Sequence, residues 1–320
     1  MKKYIFLSLL AGFMVTCHPV GRVPIGKIFS VTPSELEGLK LAYFSDYFSF
    51  VGEDAKGKVA FALDNNRGRD GDKFQAEHFV CLHDERKGWI EVQGSGIHPN
   101  PKRELKRIPD TEFFQFTGTP ESGVEIKSHI NGVELTVSPL PKILVHQEGL
   151  ASYWLGSSAA ILKWDGRIIR GRVIYEFLFL PAFNRMTRNY VDLWNDFHGI
   201  YAVVDGAGDF YIHHQRSRMM EPLIGSAEGF LVLNGVSETL EHSEMTVLSK
   251  TLGTGFFQWP TLWKGNFEVR STPYRFTVGI SERKNVATWI IGGFAMGIVK
   301  GVLKTGDKSF HLYGLGELLI

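Results

Sequence analysis

The chain has 320 residues and a formal net charge of +1, so it is long enough for about two domains and carries little excess charge. Binding to nucleic-acid phosphates needs a clustered basic face, and this composition therefore argues against a nucleic-acid partner. Hydrophobic residues at 44% and aromatic residues at 13% are sufficient for packed cores.

Residues 1–17 have the pattern of a signal peptide. Two lysines at positions 2 and 3 precede an apolar stretch over residues 4–15, which is too short to span a bilayer comfortably. The stretch ends at Cys17, and an apolar stretch ending in cysteine resembles a bacterial lipoprotein signal, in which that cysteine carries the lipid. Ordinary secretion and an uncleaved anchor remain alternatives, because the residues just before Cys17 depart from the usual lipoprotein pattern. The lipoprotein interpretation predicts a location in the bacterial cell envelope, lipid-anchored on the periplasmic or surface side.

The next segment, residues 18–40, is predicted to be a linker because it is rich in proline and poor in apolar clusters. The chain has two cysteines. If Cys17 is lipidated, Cys81 has no disulfide partner. Cys81 lies in an apolar strand pattern, which favours a buried, inert thiol.

Residues 41–182 are predicted to form a first lipocalin-like β-domain. Short apolar runs alternate with turns rich in Gly, Asn and Asp, a pattern typical of an all-β barrel or sandwich. A turn-rich stretch is expected at 64–72. The predicted strands are 43–51, 58–63, 74–83, 89–93, 112–118, 123–130, 132–138, 158–164 and 168–180.

Residues 183–320 are predicted to form a second lipocalin-like β-domain, with the boundary near Pro181. A small helix is expected over 184–197, where apolar residues fall at helical spacing. The remaining pattern again predicts strands. They are 199–204, 209–214, 229–233, 244–248, 266–270, 274–280, 288–300 and 310–319.

One segment occurs twice, once in each half. Leu162-Lys163 begins a tight Asp-Gly turn followed by a strand that reaches Glu176, and Leu303-Lys304 begins a Gly-Asp turn whose strand reaches Glu317 at the same offset. Each copy predicts a β-hairpin that closes its own module. The repeat therefore predicts two tandem modules of the same kind.

The strand from Gly171 to Glu176 resembles the G-x-x-x-x-E strand that ends the first module of carotenoid hydratase-like and AttH-like proteins. Residues 314–317 resemble the end of their second module, and 197–201 and 213–217 resemble its other strands. The resemblance implies a double lipocalin (calycin) fold. It also implies hydratase or cyclase activity on isoprenoid-like substrates. It transfers no catalytic residue, because the matching strands look structural.

Glu176 is the best candidate for a catalytic acid, because it is a carboxyl group within an apolar strand, where burial would raise its pKa. Strand alternation places it on the face opposite Tyr175. The alternative is that Glu176 pairs with Arg172 or lies on an outer face. Glu317 has the same two interpretations in its own strand.

Other polar and aromatic residues are predicted to line a ligand pocket. Glu77 and His78 are neighbours on one strand, so at most one of them faces the interior, and the same holds for His213 and His214. For each histidine a hydrogen-bonded structural role is the alternative. The pocket candidates are Tyr175, Trp194, His198, Tyr201, His213, Glu77 and His78.

The sequence therefore predicts an envelope lipoprotein that binds an apolar or amphipathic small molecule, such as a lipid or an isoprenoid, in a β-barrel cavity. The first alternative is a hydratase, isomerase or cyclase acting on such a molecule, and the second is a structural component of the envelope. No P-loop, dinucleotide-binding motif or metal-ligand cluster is evident, so we expect no metal or nucleotide cofactor.

Overall fold

The computed structural model describes residues 41–94, 98–99, 114–129, 132–148, 151–180, 195–205, 208–217, 227–252, 258–289 and 292–319. These ranges form antiparallel strands, and none of them contains an α-helix. Nothing in these ranges forms a helix of the length and apolarity needed to cross a membrane. The predicted all-β class is confirmed.

The first module is one curled antiparallel sheet. The strand order is β4-β3-β2-β1-β11-β10-β8-β7-β6, with β5 added to β3 and β9 added to β10. Its strands are β1 (Leu41–Asp54), β2 (Gly57–Asp70), β3 (Lys73–Asp84), β4 (Gly88–Gly94), β5 (His98–Pro99), β6 (Phe114–Thr119), β7 (Gly123–Ser128), β8 (Glu134–Val137), β9 (Lys142–Glu148), β10 (Ala151–Trp164) and β11 (Arg167–Leu180).

The second module repeats this topology with nine strands in the order β15-β14-β13-β12-β20-β19-β18-β17-β16. In both modules the first strand pairs with the last, as β1 with β11 and β12 with β20. The strands are β12 (Asn195–Val204), β13 (Gly208–Ser217), β14 (Ala227–Leu233), β15 (Val236–Thr239), β16 (Glu241–Leu252), β17 (Gln258–Val269), β18 (Thr272–Trp289), β19 (Gly292–Thr305) and β20 (Lys308–Leu319).

Each sheet curls around its own apolar interior. In the first module the rings of His78 on β3 and Phe114 on β6 lie 5.7 Å apart, although their strands are near opposite ends of the strand order. In the second module Phe210 on β13 stacks on Phe267 on β17 at 5.6 Å. Contacts between distant strands require curvature, as in a lipocalin-like module. The fold therefore has two separate interiors, each closed by bulky side chains.

A third apolar cluster lies between the two modules, and we call it the inter-module layer. It is built from the side chains that point away from each interior. The first module contributes Tyr47, Val51, Ala60, Ala62, Phe79, Cys81, Leu155 and Ile174; the second contributes Tyr201, Tyr211, Phe230, Val232, Met296, Ile298, Tyr313 and Leu315. These strands are apolar on both faces because one face fills a sheet interior and the other packs against the partner module. Cys81 is fully buried here, as predicted.

Three predicted elements differ from the structure. The prediction of a turn-rich stretch at 64–72 is wrong, because β2 continues to Asp70 and pairs with β3 from Val59 to Asp70. The single strand 288–300 is also wrong, because Trp289 ends β18 and pairs with Gly292 at the start of β19. The predicted helix 184–197 lies mainly outside the described residues, as does the boundary near 181. Its last three residues are strand, since β12 begins at Asn195.

Candidate active site

The duplicated segments form the closing hairpin of each module. In the β10–β11 hairpin, Asp165 and Gly166 both have positive φ, at 52° and 68°, as a type I′ turn requires. In the β19–β20 hairpin, Gly306 has φ 52°. Both turns are two residues long, which fixes the register of the strands that follow.

This register places the two repeated glutamates on the same side of their sheets. Ile174 and Leu315, each two residues earlier on the strand, lie in the inter-module layer. Because side chains alternate along a strand, Glu176 and Glu317 face that layer as well. The two modules therefore bring one carboxyl group each to the same place.

One tyrosine hydroxyl joins the two carboxyl groups. The hydroxyl of Tyr201 lies 3.2 Å from Oε2 of Glu176 and 3.3 Å from Oε2 of Glu317, and the hydroxyl of Tyr211 donates to Oε2 of Glu176 at 2.7 Å. A tyrosine hydroxyl has a single proton to donate. Tyr201 therefore either divides its proton between two carboxylates, or donates to one group and accepts from the other as a carboxylic acid. We call Glu176 and Glu317 the acid pair, and Tyr201 the bridge between them.

The electrostatics of the layer favour the state in which one group is a carboxylic acid. Burial raises the pKa of Glu176 to about 7, against the hydrogen bonds from Tyr211 and Tyr201, which lower it. Burial and the negative charge of Glu176 raise the pKa of Glu317 well above its ordinary value. Because the two carboxyl groups interact, they titrate as a pair, and the raised pKa of both favours a state near neutral pH in which the pair holds a proton. Each of the two residues keeps part of its surface exposed.

Aromatic rings form a continuous wall beside the acid pair. The ring of Tyr201 lies 4.9 Å from that of Tyr47 and 4.8 Å from that of Tyr211. Tyr211 in turn stacks on Phe230 at 5.7 Å and lies 5.6 Å from the ring of His213. The π faces of such rings attract positive charge. The rings therefore surround the two carboxyl groups with an apolar, electron-rich environment.

A second polar contact joins the modules near the acid pair. The Arg172 guanidinium on β11 donates to Oδ2 of the fully buried Asp209 on β13 at 2.5 Å, and the Ser157 hydroxyl donates to the same oxygen. Arg172 is therefore engaged with the second module. The predicted alternative in which Glu176 pairs with Arg172 is wrong, because the hydroxyls of Tyr201 and Tyr211 of the second module hydrogen-bond to Glu176 instead.

The predicted site residues fall into three places. Glu176, Tyr201 and His213 lie together around the inter-module layer, through the contacts of Tyr211 with Glu176 and His213. Glu77 shares its strand face with Phe79, a member of that layer, so it points to the same side.

Other predicted pocket residues lie in the sheet interiors. In the first module His78 contacts Phe114, and the hydroxyl of Tyr175 donates to Asp46, which also pairs with the buried Arg67. In the second module the ring of His198 lies 5.9 Å from that of Trp263 and 6.2 Å from that of His214. The six candidates within the described residues therefore do not form one pocket. Trp194 is outside the described residues.

Two residues of the site were not predicted from the sequence. Tyr47 and Tyr211 belong to different modules, and no local pattern shows that they meet at the acid pair. Tyr211 is two residues from His213 and so shares its face, which was the one available signal. In the part of the chain that the structure describes, no group of three or more His, Cys, Asp or Glu residues is arranged to hold a metal ion.

Two tandem curled antiparallel sheets, each closed by pairing of its first and last strands, define a double lipocalin-like fold. The chain is similar over almost its whole length to a candidate AttH protein from Nitrosomonas europaea (TM-score 0.61, 12% identity, 93% of this chain and 98% of that chain). It is also similar to CghA (TM-score 0.62, 12% identity, 94% of each chain). A third similar structure is kievitone hydratase from Nectria haematococca (TM-score 0.52, 10% identity, 95% of this chain and 94% of that chain).

The predicted resemblance to the carotenoid hydratase-like and AttH-like proteins is confirmed as a shared fold. No protein-family model matches the chain, and no curated protein sequence matches it.

Proposed function

We propose that the protein is an enzyme that moves protons on an unsaturated, largely apolar small molecule, as a hydratase, isomerase or cyclase, in the inter-module layer. The observation that carries the proposal is the single Tyr201 hydroxyl shared by Glu176 and Glu317. An acid and a base held side by side, with pKa values separated by their surroundings, are the arrangement that general acid–base catalysis requires. The fold shared with kievitone hydratase supports this class of reaction.

In the proposed hydration, protonated Glu317 donates its proton to one carbon of an alkene. Water attacks the neighbouring carbon and loses a proton to the Glu176 carboxylate, so that one water is added in total. The proton then returns from Glu176 to Glu317 through the bridging hydroxyl of Tyr201. If Glu176 instead removes a proton from a neighbouring carbon, the result is isomerisation. If a second alkene attacks the cation first, a ring forms, and Glu176 then removes a proton from the ring cation to complete cyclisation. The rings of Tyr47, Tyr201 and Tyr211 lower the energy of the cationic state.

The proposal is tested by incubating the protein with a panel of isoprenoid alkenes in heavy water and measuring deuterium incorporation by mass spectrometry. We expect Glu317→Gln and Glu176→Gln to reduce turnover by at least about 100-fold, the usual scale of a lost general acid or base. Glu125→Gln, at an exposed glutamate of β7, is the matched control and should leave turnover unchanged. Turnover that survives both acid-pair substitutions would exclude this mechanism.

A protein that only binds its ligand is the second candidate, and the aromatic wall of Tyr47, Tyr201 and Tyr211 favours it because such a wall binds apolar molecules without any reaction. The structure of CghA with Sch210972 is an example of this fold with a small molecule. Glu176→Gln separates the two candidates, because loss of deuterium incorporation with retained ligand binding would favour the enzyme. Binding that persists without any deuterium incorporation in wild-type protein would favour the binding role.

We also propose that the protein is anchored in the bacterial envelope through lipid on Cys17. The support is the apolar stretch that ends at this cysteine and the proline-rich segment that follows it. Metabolic labelling with a fatty acid should mark the wild-type chain and not Cys17→Ser. Equal labelling of both would contradict the anchor.

A further inference from the structure

Three tyrosines surround the acid pair, and one of them differs from the others in the hydrogen bonding of its hydroxyl. The hydroxyls of Tyr201 and Tyr211 hydrogen-bond to the glutamates. Tyr47 is 4% exposed, and its hydroxyl has no hydrogen-bond partner among the described residues. A buried hydroxyl left without a partner costs about 1–3 kcal/mol, so a fold that keeps one beside a reactive site calls for an explanation.

The position of Tyr47 puts this hydroxyl at the site. Tyr47 on β1 is the cross-strand partner of Glu176 on β11, and its ring lies 4.9 Å from the bridging Tyr201. Burial, followed by the charge of Glu317, raises the pKa of the Tyr47 hydroxyl well above its ordinary value. The group therefore remains a hydrogen-bond donor at every physiological pH.

A second hydroxyl without a partner lies on the same strand face. Ser49 is two residues after Tyr47, about 7 Å along the strand, is 2% exposed, and its Oγ also has no hydrogen-bond partner among the described residues. In the second module the position equivalent to Ser49 is Tyr201, since Ser49 pairs with Ile174 as Tyr201 pairs with Leu315. Two donors thus face the inter-module layer from one strand, in addition to the acid pair.

We propose that the Tyr47 hydroxyl, with Ser49 beside it, donates a hydrogen bond to an oxygen atom of the bound substrate. The substrate is then an unsaturated, largely apolar molecule that carries oxygen, such as a conjugated ketone, and not a plain hydrocarbon. A hydrocarbon would leave the Tyr47 hydroxyl buried without an acceptor, whereas a carbonyl oxygen accepts its hydrogen bond. This inference rests on the proposed function, because it assigns the substrate class to the same inter-module site.

The test is a binding comparison between two molecules and four proteins. The probes are β-ionone, a conjugated isoprenoid ketone, and the hydrocarbon in which a methylene group replaces its carbonyl oxygen. Each is titrated into wild type, Tyr47→Phe, Ser49→Ala and Tyr313→Phe, with tryptophan fluorescence for affinity and ultraviolet absorption for the state of the ketone. Tyr313 is the matched control, because its buried hydroxyl also has no partner among the described residues while its ring lies under Lys58.

We expect wild type to bind the ketone about tenfold more tightly than the hydrocarbon, the effect of one hydrogen bond of about 1.4 kcal/mol. The ketone band should shift to longer wavelength on binding. Tyr47→Phe should lose both the preference and the shift, Ser49→Ala should reduce the preference, and Tyr313→Phe should retain both. Circular dichroism melting checks that each variant is folded.

Retention of the preference and the shift in Tyr47→Phe would overturn the inference, as would a wild type that shows no preference or binds neither probe. If Tyr47→Phe does not fold, an unchanged preference in Ser49→Ala is the overturning result. The proposed function fails separately. A ketone preference without any deuterium incorporation would keep the inference and contradict the catalysis, whereas turnover of hydrocarbons without a ketone preference would do the reverse.

Discussion

At the scale of single residues, the site depends on three groups from two modules. Glu176 comes from the first module, while Tyr201 and Glu317 come from the second. Neither glutamate would have a strongly raised pKa on an exposed strand face, because burial is the largest contribution for both. The chemistry therefore exists only where the two modules meet.

The raised pKa of Glu176 predicts a particular dependence of stability on pH. Its ordinary value is 4.5 and its folded value is about 7, so the folded state holds a proton that the unfolded chain releases in this range. Glu176 should therefore lower the free energy of unfolding by about 2 kcal/mol, after screening by solvent, as pH rises from 4.5 to about 7. The raised pKa of Glu317 adds a decrease of the same sign. Urea unfolding at both ends of the range measures it.

The control for this prediction is the same pair of measurements on Glu176→Gln and Glu125→Gln. Because glutamine does not titrate, the Glu176 variant should lose the share of the decrease that comes from Glu176, while the share that comes from Glu317 remains. The exposed Glu125 variant should keep it. An unchanged pH dependence in Glu176→Gln would mean that Glu176 is ionised in the folded protein.

The sequence singled out the two glutamates as candidates, but it could not show which residues surround them. The repeat placed Glu176 and Glu317 at the same offset from their turns, and alternation put each on the face opposite the neighbouring apolar residues. What it could not give was the partner of each carboxyl group, because Tyr201 and Tyr211 approach Glu176 from the other module. Contacts of this kind depend on how two finished sheets pack, which leaves no local pattern.

At the scale of elements, one glycine allows the strand that carries Glu317 to lie close to the strand that carries Tyr201. A Cβ atom at Gly314 would lie 1.9 Å from the backbone oxygen of Tyr201 and 2.5 Å from Cα of Ala202. Neither backbone atom can move without shifting β12 relative to β20. We expect Gly314→Ala to destabilise the protein by at least about 2 kcal/mol.

The matched control is Gly279→Ala on β18, where the nearest atom to a new Cβ is the flexible Leu262 side chain at 3.4 Å. Thermal unfolding of both variants gives the comparison, and Gly279→Ala should change stability far less. Equal effects of the two substitutions would show that the β12–β20 approach does not limit the fold.

Element boundaries were predicted well where turn chemistry is strong. Asp165 and Gly166 marked the β10–β11 turn correctly, because their positive φ angles suit those residue types. The stretch 64–72 was misassigned because its Asn, Asp and Gly residues also indicate a turn. In the structure Asp64 and Asn66 lie on the face of β2 that points to the second module. The Asn66 amide and the Ser45 hydroxyl each donate a hydrogen bond to the Asp64 carboxylate at 2.7 Å. Tertiary hydrogen bonds thus override local turn propensity.

At the scale of the whole molecule, the buried contact of Asp209 with Arg172 and Ser157 joins the modules beside the site. Asp209→Ala removes the buried acceptor and leaves the Arg172 guanidinium without it, so we expect a loss of about 2–4 kcal/mol in unfolding free energy. Arg270→Ala, which breaks the exposed pair with Glu238, is the control and should cost under about 1 kcal/mol.

Urea unfolding of the two variants makes this comparison. A loss in Asp209→Ala no larger than that in Arg270→Ala would mean that the modules do not depend on this contact. The outcome also bears on the site, because the same two strands, β11 and β13, carry Glu176 and Tyr211.

The proton shared by Glu176 and Glu317 is tested most directly by carbon-13 NMR of glutamate-labelled protein, titrated from acid to alkaline pH. Glu176→Gln and Glu317→Gln assign the two carboxyl signals. We predict that Glu317 stays protonated through neutral pH while Glu176 titrates near 7, and that Tyr201→Phe raises the pKa of Glu176 further because it removes a hydrogen bond to the carboxylate. Two carboxyl groups that both titrate near the ordinary value of 4.5 would contradict the shared proton and the mechanism built on it.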